Sequence, residues 1–194
     1  CLKSAGRMGM AFDARLNRTK LYLTDQAEYF NQLVKEINAF IKKAERKNLT
    51  PLIRLNGTSD IRFENIGFYK NGNYYRNIME FFPDLQFYDY TKIPNREKSI
   101  NGVQSFPKNY DLTFSYSGAK GFEKFNGRAL REGWRVAVVF DKVENIPVTF
   151  HGRKVVSGDD TDIRHLDAKD VIVSLYAKGK ARKDQSGFVV RNES

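Results

Sequence analysis

Cysteine is nearly absent. Cys1 is the single one in 194 residues, which excludes an internal disulfide framework and favours a reducing compartment. Histidine is almost as scarce: only His151 and His165 occur, and with one cysteine they do not supply a zinc site within the chain. No apolar run approaches the ~18 residues that point to a membrane span, so no membrane partner is expected. Three local signatures are also missing. No Gly-x-x-x-x-Gly-Lys-Ser/Thr loop occurs, no Gly-x-Gly-x-x-Gly follows a predicted strand, and no Gly-x-Ser-x-Gly elbow is present. These absences count against a P-loop ATPase, a dinucleotide dehydrogenase and a serine hydrolase.

What is there is a globular composition. Hydrophobic residues make up 41% and aromatics 13%, enough apolar surface to build a core rather than stay disordered. The length suits one domain with a substantial core, and residues 1–194 are read as a single α/β domain. Net charge is +10, which favours anionic partners: nucleotides, nucleic acid or acidic surfaces. A soluble protein with well-spread basic charge reads the same way, since no run of Lys and Arg exceeds two or three. The densest stretch is Lys178-Gly179-Lys180-Ala181-Arg182-Lys183.

Short apolar runs recur along the chain, and most end in small and acidic polar residues. Residues 11–23 and a stretch from Asp25 to about Asn48 are predicted helices. Asp25 with Glu28 three positions later reads as a capping box. Phe30, Leu33, Val34, Ile37, Phe40, Ile41 and Ala44 define one apolar face at spacings of three and four. Strands are predicted from Pro51 to Leu55 and over 85–90, 110–116, 134–140 and 170–176, with a β-rich segment at 147–157. Residues 63–73 read as loop and turn, 74–82 as a short helix stopped by Pro83, and 121–132 as a helix ended by Gly133. Strands alternating with helices predict right-handed crossovers and a mainly parallel sheet, as a partial (β/α) barrel or an open sheet. Ligands of such folds bind beyond the carboxyl ends of the strands. The polar residues gathered there, among them Asp60, Asp89, Asp141 and Lys178, are therefore expected to line one common hollow.

Four clusters carry candidate chemistry. In Asn56-Gly57-Thr58-Ser59-Asp60, Gly57 allows a sharp turn, and two hydroxyls with a carboxylate suit an amine, a ribose hydroxyl or a metal-bound water; a turn whose Asp60 caps a helix explains the same residues. In Asp89-Tyr90-Thr91-Lys92, the Tyr/Lys pair suits acid–base work, or Lys92 a phosphate. Asp159, Asp160 and Asp162 place three carboxylates within four residues, a candidate set for Mg²⁺ or Ca²⁺, although the match to a calcium loop is poor and a solvated turn leading to a short helix explains the same residues. His165 follows as a candidate general base, and Lys178 as an anion-binding group.

Cys1 stands where an initiator Met is expected. Four explanations stay open: a missing preceding segment, which is the reading favoured here, a mature lipoprotein, an N-terminal nucleophile, or numbering that starts at an arbitrary residue.

Five stretches together resemble the phage gene product 88 family. They are Cys1-Leu2-Lys3-Ser4-Ala5-Gly6-Arg7, Ala14-Arg15 with Arg18-Thr19, Arg54 to Ile61, Phe87 to Lys92, and Asn109 to Ser115. The likeness continues through Val136 to Phe140, Gly158-Asp159 with Asp162, and Ala177-Lys178-Gly179. The resemblance implies a phage protein in the cytoplasm of an infected bacterial host. It also implies a cysteine cluster whose last member is Cys1, similar to the iron–sulfur motif of radical S-adenosylmethionine enzymes. On that analogy Cys1 ligates the cluster, and Asn56, Gly57, Thr58, Ser59 and Asp60 approach the cofactor amine; Ser115 and Lys178 are further candidate cofactor-binding residues. This sequence departs from the pattern, since a chain with one Cys does not hold a three-thiolate cluster alone. Both cofactors require residues beyond this chain. Three functions follow as expectations: an enzyme acting on a nucleotide or nucleic acid through Asp60, Asp89, Lys92 and His165, a nucleic-acid-binding module, or a non-catalytic host-directed protein. The oligomeric state is open.

Overall fold

The structure, a computed structural model, describes residues 12–97 and 106–191. Two helices open it, α1 (Phe12–Thr24) and α2 (Gln26–Glu45). The Asp25 side chain accepts a hydrogen bond from the Glu28 N–H at 3.0 Å, which satisfies one of the donors that a helix start leaves open. Phe30, Val34, Ile37 and Ala44 of α2 are buried, as the periodicity predicts. In α1 no residue is buried.

Among the described residues nine strands follow: β1 (Leu52–Ile53), β2 (Phe68–Lys70), β3 (Asn73–Tyr75), β4 (Gln86–Thr91), β5 (Tyr110–Ser115), β6 (Val136–Phe140), β7 (Thr149–Phe150), β8 (Arg153–Ser157) and β9 (Ile172–Tyr176). Helix α3 (Ile78–Phe81) precedes β4, and α4 (Glu123–Arg131) joins β5 to β6. Seven strands form one sheet in the order β1-β4-β5-β6-β9-β8-β7. Every pair in it is parallel except β7 with β8. The sheet is open, so of the two predicted architectures it is the open sheet that forms. Strand order explains why. It advances from β1 to β6, then runs backwards from β8 to β9. Right-handed crossovers place connections of opposite direction on opposite faces of a sheet.

The side chains record this division. Phe87, Leu112, Phe114, Val136, Val138 and Ile172 pack with α2, α3 and α4 in one buried cluster. Alternate residues face the other way. There the β8–β9 connection lies across the sheet: Tyr88 and Tyr90 donate to Asp162, Arg135 donates to the Asp167 carbonyl, and Lys169 donates to Asp111.

Two local expectations are corrected. Residues 68–75 form a hairpin, and the helix expected over 74–82 shrinks to Ile78–Phe81. Asn71 and Gly72 both adopt positive φ, 52° and 80°, the geometry that a two-residue hairpin turn requires. Asn77 then caps α3 by accepting from the Glu80 N–H at 2.9 Å. The strand expected over 51–55 is paired only at Leu52 and Ile53. Near the end of the chain Val190 bridges to Phe140 beside β6, so the last segment docks on the sheet.

Candidate functional site

A hollow of about 560 Å³ opens beyond the carboxyl ends of β1, β4 and β5, within the size range of small-molecule sites. Its walls are Arg54 and the loop 56–60 from β1, Tyr90, Thr91 and Lys92 from β4, Ser115 from β5, and Asp184, Ser186 and Phe188 from the last segment.

A buried polar knot shapes the loop. The Asn56 amide donates to Asp89 and to the Ile61 carbonyl, while its oxygen accepts from Ser59 and from the Ile61 N–H. Asp89 also accepts from the Asn56 N–H at 2.9 Å and the Tyr110 hydroxyl at 2.8 Å. Burial pushes the Asp89 carboxyl up to about 6, against the pull of these donors. Arg96 is buried beside it. Its guanidinium reaches both oxygens of Glu64 at 2.8 Å, Asp60 at 2.6 Å, the Ile61 carbonyl and Tyr110. The second Asp60 oxygen accepts from the Thr91 hydroxyl and the Lys92 N–H. Asp60 therefore clips the loop to the end of β4.

The cations of the wall are held differently. The half-buried Lys92 ammonium donates to the Ser115 carbonyl at 3.2 Å and to its hydroxyl at 3.4 Å. It stands 5.1 Å from the Phe122 ring centroid and 4.8 Å from that of Phe188, a cation–π setting. Burial pulls its pKa below the usual lysine value, with Asp60 opposing. Arg54 lies 4.6 Å over the Tyr90 ring and 3.4 Å from Asp162. Among the described residues, the backbone N–H groups of Gly57, Thr58 and Ser59 donate no hydrogen bond to the protein. Asp184 is occupied by the Ser186 hydroxyl and the Val189 N–H. The oxygens of both wall carboxylates thus have internal donors, and the wall sets the two cations Lys92 and Arg54 beside the two carboxylates Asp60 and Asp184.

Of the residues expected from the sequence, Asn56, Gly57, Thr58, Ser59, Asp60, Lys92 and Ser115 meet at this hollow. Asp89 lies sealed beneath it, 1% exposed. Asp141 and Lys178 do not join them, so the expected common hollow is smaller than supposed. Asp141 bonds to the Lys142 N–H and Asn145 and lines another hollow with Arg182 and Arg191. Lys178 pairs with Asp159. Both sit at the ends of β6, β8 and β9, across the sheet from β1. His165 is on the face covered by the β8–β9 connection, its ring 6.5 Å from that of Tyr88. Burial and then Arg135 pull it below the usual histidine value.

The three acidic candidates diverge. Asp159 turns to Lys178 and the Tyr176 N–H, Asp162 to Arg54, Tyr88 and Tyr90, and Asp160 is exposed. Among the described residues no group of three or more His, Cys, Asp or Glu is placed to hold a metal ion. Cys1 lies outside the described residues. The donor set does not fit an iron–sulfur cluster, because the sequence holds one thiol. Nor is Asn56 available to a cofactor amine, since its side chain is fully used inside the protein.

Tyr90, half of the Tyr/Lys pair expected to do acid–base work, also lines the hollow. Arg54, Arg96, Asp184, Ser186 and Phe188 are site residues that the sequence reading missed. Arg54 adjoins the cluster from Asn56 to Asp60, so adjacency is a usable signal. Arg96 falls in an irregular stretch with no local pattern.

No helix among the described residues is long and apolar enough to cross a membrane. No curated protein and no solved structure matches the chain. The model of one family, described as gene product 88, matches residues 1–192. That match spans the hollow and nearly all of the sequence, and the chain belongs to the gene product 88 family.

Proposed function

We propose that this domain binds a small anionic molecule carrying a flat ring, of the nucleotide class, at the carboxyl ends of β1, β4 and β5. The observation that carries the reading is the set of donors facing the hollow. The oxygens of Asp60 and Asp184 are taken up by internal donors, while Lys92, Arg54, the hydroxyls of Thr58 and Ser115 and the N–H groups of Gly57, Thr58 and Ser59 line the cleft. An anion there replaces water at donors already in place. Tyr90 and Phe188 supply ring faces for a base. With Asp89 sealed and Asp60 bound to Arg96, the hollow offers no free carboxylate as a general base. Lys92 is the group positioned to hold phosphate charge. Such a ligand is available in the host cytoplasm, the location that the family resemblance implies.

Calorimetric titration with ATP, ADP, AMP and inorganic phosphate tests this. Binding is expected for nucleotides, weakened at least tenfold by Lys92→Ala and partly retained by Lys92→Arg. Absence of binding to every nucleotide at millimolar concentration overturns it.

A further inference from the structure

The segment leaving β9 is strongly basic. Lys178, Lys180, Arg182 and Lys183 fall within six residues and Arg191 follows, while Asp184 is the only acid from 178 to 191. The cations do not hang on a loose tail. Residues 179–183 form a turn of 3-10 helix, and Ala177, Ala181 and Val189 are buried together beneath it. Arg182 donates to the Ala177 carbonyl and Arg191 to that of Asp184. Side chains three apart on a 3-10 helix eclipse, so Lys180 and Lys183 stand on one edge. Among the described residues, Lys180, Arg182 and Lys183 have no carboxylate ion-pair partner, Arg191 lies within electrostatic range of Asp141, and all four are exposed.

This ledge runs directly into the hollow. The same segment continues to Asp184, Ser186 and Phe188, which form one wall of it. On its other side it borders a hollow of about 400 Å³ where Lys142, Arg182 and Arg191 meet Asp141 and Glu144. Gly187 rests against Gly118 and Ala119, next to exposed Lys120. A row of cations beside a cleft with two ring faces matches a strand whose phosphates are spaced along the ledge while one base enters the cleft. A base paired in a duplex is not free to enter. An acidic membrane surface is a poorer fit, because residues 178–187 hold no apolar side chain except the buried Ala181.

We infer that the nucleotide taken by the hollow is part of a single-stranded nucleic acid, whose flanking phosphates bind the ledge formed by Lys180, Arg182, Lys183 and Arg191. This rests on the nucleotide reading of the hollow and extends it to a polymer. The test compares a fluorescein-labelled oligothymidylate of about 12 nucleotides, followed by anisotropy, with thymidine monophosphate, followed by calorimetry. The oligonucleotide is expected to bind at least tenfold more tightly, and its affinity to fall as salt rises. The doubly substituted Lys180→Ala/Lys183→Ala protein should lose about tenfold for the oligonucleotide, keep its mononucleotide affinity, and show a log–log salt slope shallower by about 1.4, the value for two single-strand phosphate contacts. Equal affinity for the two ligands, or oligonucleotide binding unchanged by the double substitution, overturns the inference and leaves the hollow as a mononucleotide site. Mononucleotide binding that survives Lys92→Ala overturns the reading of the hollow and this inference with it.

Discussion

Arg96 and Glu64 meet face to face, Nε to Oε1 and Nη2 to Oε2, both at 2.8 Å. Their side chains are 0% and 1% exposed. The pair fastens the loop that forms one wall of the hollow to the segment after β4, although 32 residues separate the two in sequence. Removing one member of such a pair strands the other charge in the interior. Arg96→Ala is expected to cost about 3–5 kcal/mol and to abolish nucleotide binding, since Asp60 and the Ile61 carbonyl lose the same partner. Arg96→Lys should restore little, because an ammonium does not reproduce the two-pronged contact. Urea unfolding reads the cost, and a loss below about 1 kcal/mol would show that the network is not holding the loop.

Asp89 gives the fold a pH dependence of known sign. Its carboxyl is raised from 3.8 to about 6 by burial. Between these values the native protein holds the proton and the unfolded chain releases it, so stability falls as pH rises through the window and stays reduced above about 6. The full effect is on the order of 3 kcal/mol. Asp89→Asn carries no such titration. The stability difference between wild type and Asp89→Asn, measured by urea unfolding at about pH 4 and about pH 7, should shift by roughly 2–3 kcal/mol to the disadvantage of the wild type at the higher pH. A constant difference would contradict the assignment.

Asp162 competes for Arg54. It accepts from the guanidinium at 3.4 Å and from the Tyr88 and Tyr90 hydroxyls, while its own side chain is 58% exposed. Exposed pairs of this kind contribute under about 1 kcal/mol. Asp162→Asn should therefore leave the melting temperature nearly unchanged and tighten nucleotide binding by a factor of about two to five, the equivalent of that energy. Weaker nucleotide binding would place Asp162 among the ligand's supports.

Two glycines with close neighbours should respond differently to a methyl group, and the one with the nearer neighbour should respond less. A Cβ on Gly118 would lie 2.6 Å from the Gly187 carbonyl oxygen, a backbone atom. A Cβ on Gly67 would meet the Tyr74 hydroxyl at 2.1 Å, but that side chain is 58% exposed and swings aside. Gly118→Ala is expected to cost about 1–3 kcal/mol and to expose residues 184–188 to proteolysis. Gly67→Ala should stay within about 0.5 kcal/mol. Equal tolerance at both sites would mean that the last segment is not seated against Gly118.

The parallel sheet was legible because its strands announce themselves locally. Val136 to Phe140 and Ile172 to Tyr176 are apolar runs bounded by turn residues, and α2 shows its buried face by spacing alone. The hairpin at 68–75 was not legible, since Tyr74 and Tyr75 suit a helix or a strand and only pairing with Phe68 and Tyr69 decides between them. Within the site, the cluster from Asn56 to Asp60 could be found from composition at a strand end. The work of its members could not: Asn56 and Asp60 have the residue types of ligand-binding groups and are spent on Asp89, Arg96 and the backbone.

The sequence alone determined the class of the fold, the edge of the sheet where polar residues collect, the basic balance and the family resemblance, since each follows from residue type and near-neighbour spacing. Tertiary structure decided which of those polar groups remain available. Strand order put β6 and β9 beyond β5, separating Asp141 and Lys178 at their ends from Asp60 beside β1 and β4. Burial then consumed Asp89 in a network with Arg96. Both outcomes depend on contacts between residues tens of positions apart, and the energetics of a buried charge are set by the partner it meets there, which no local pattern encodes.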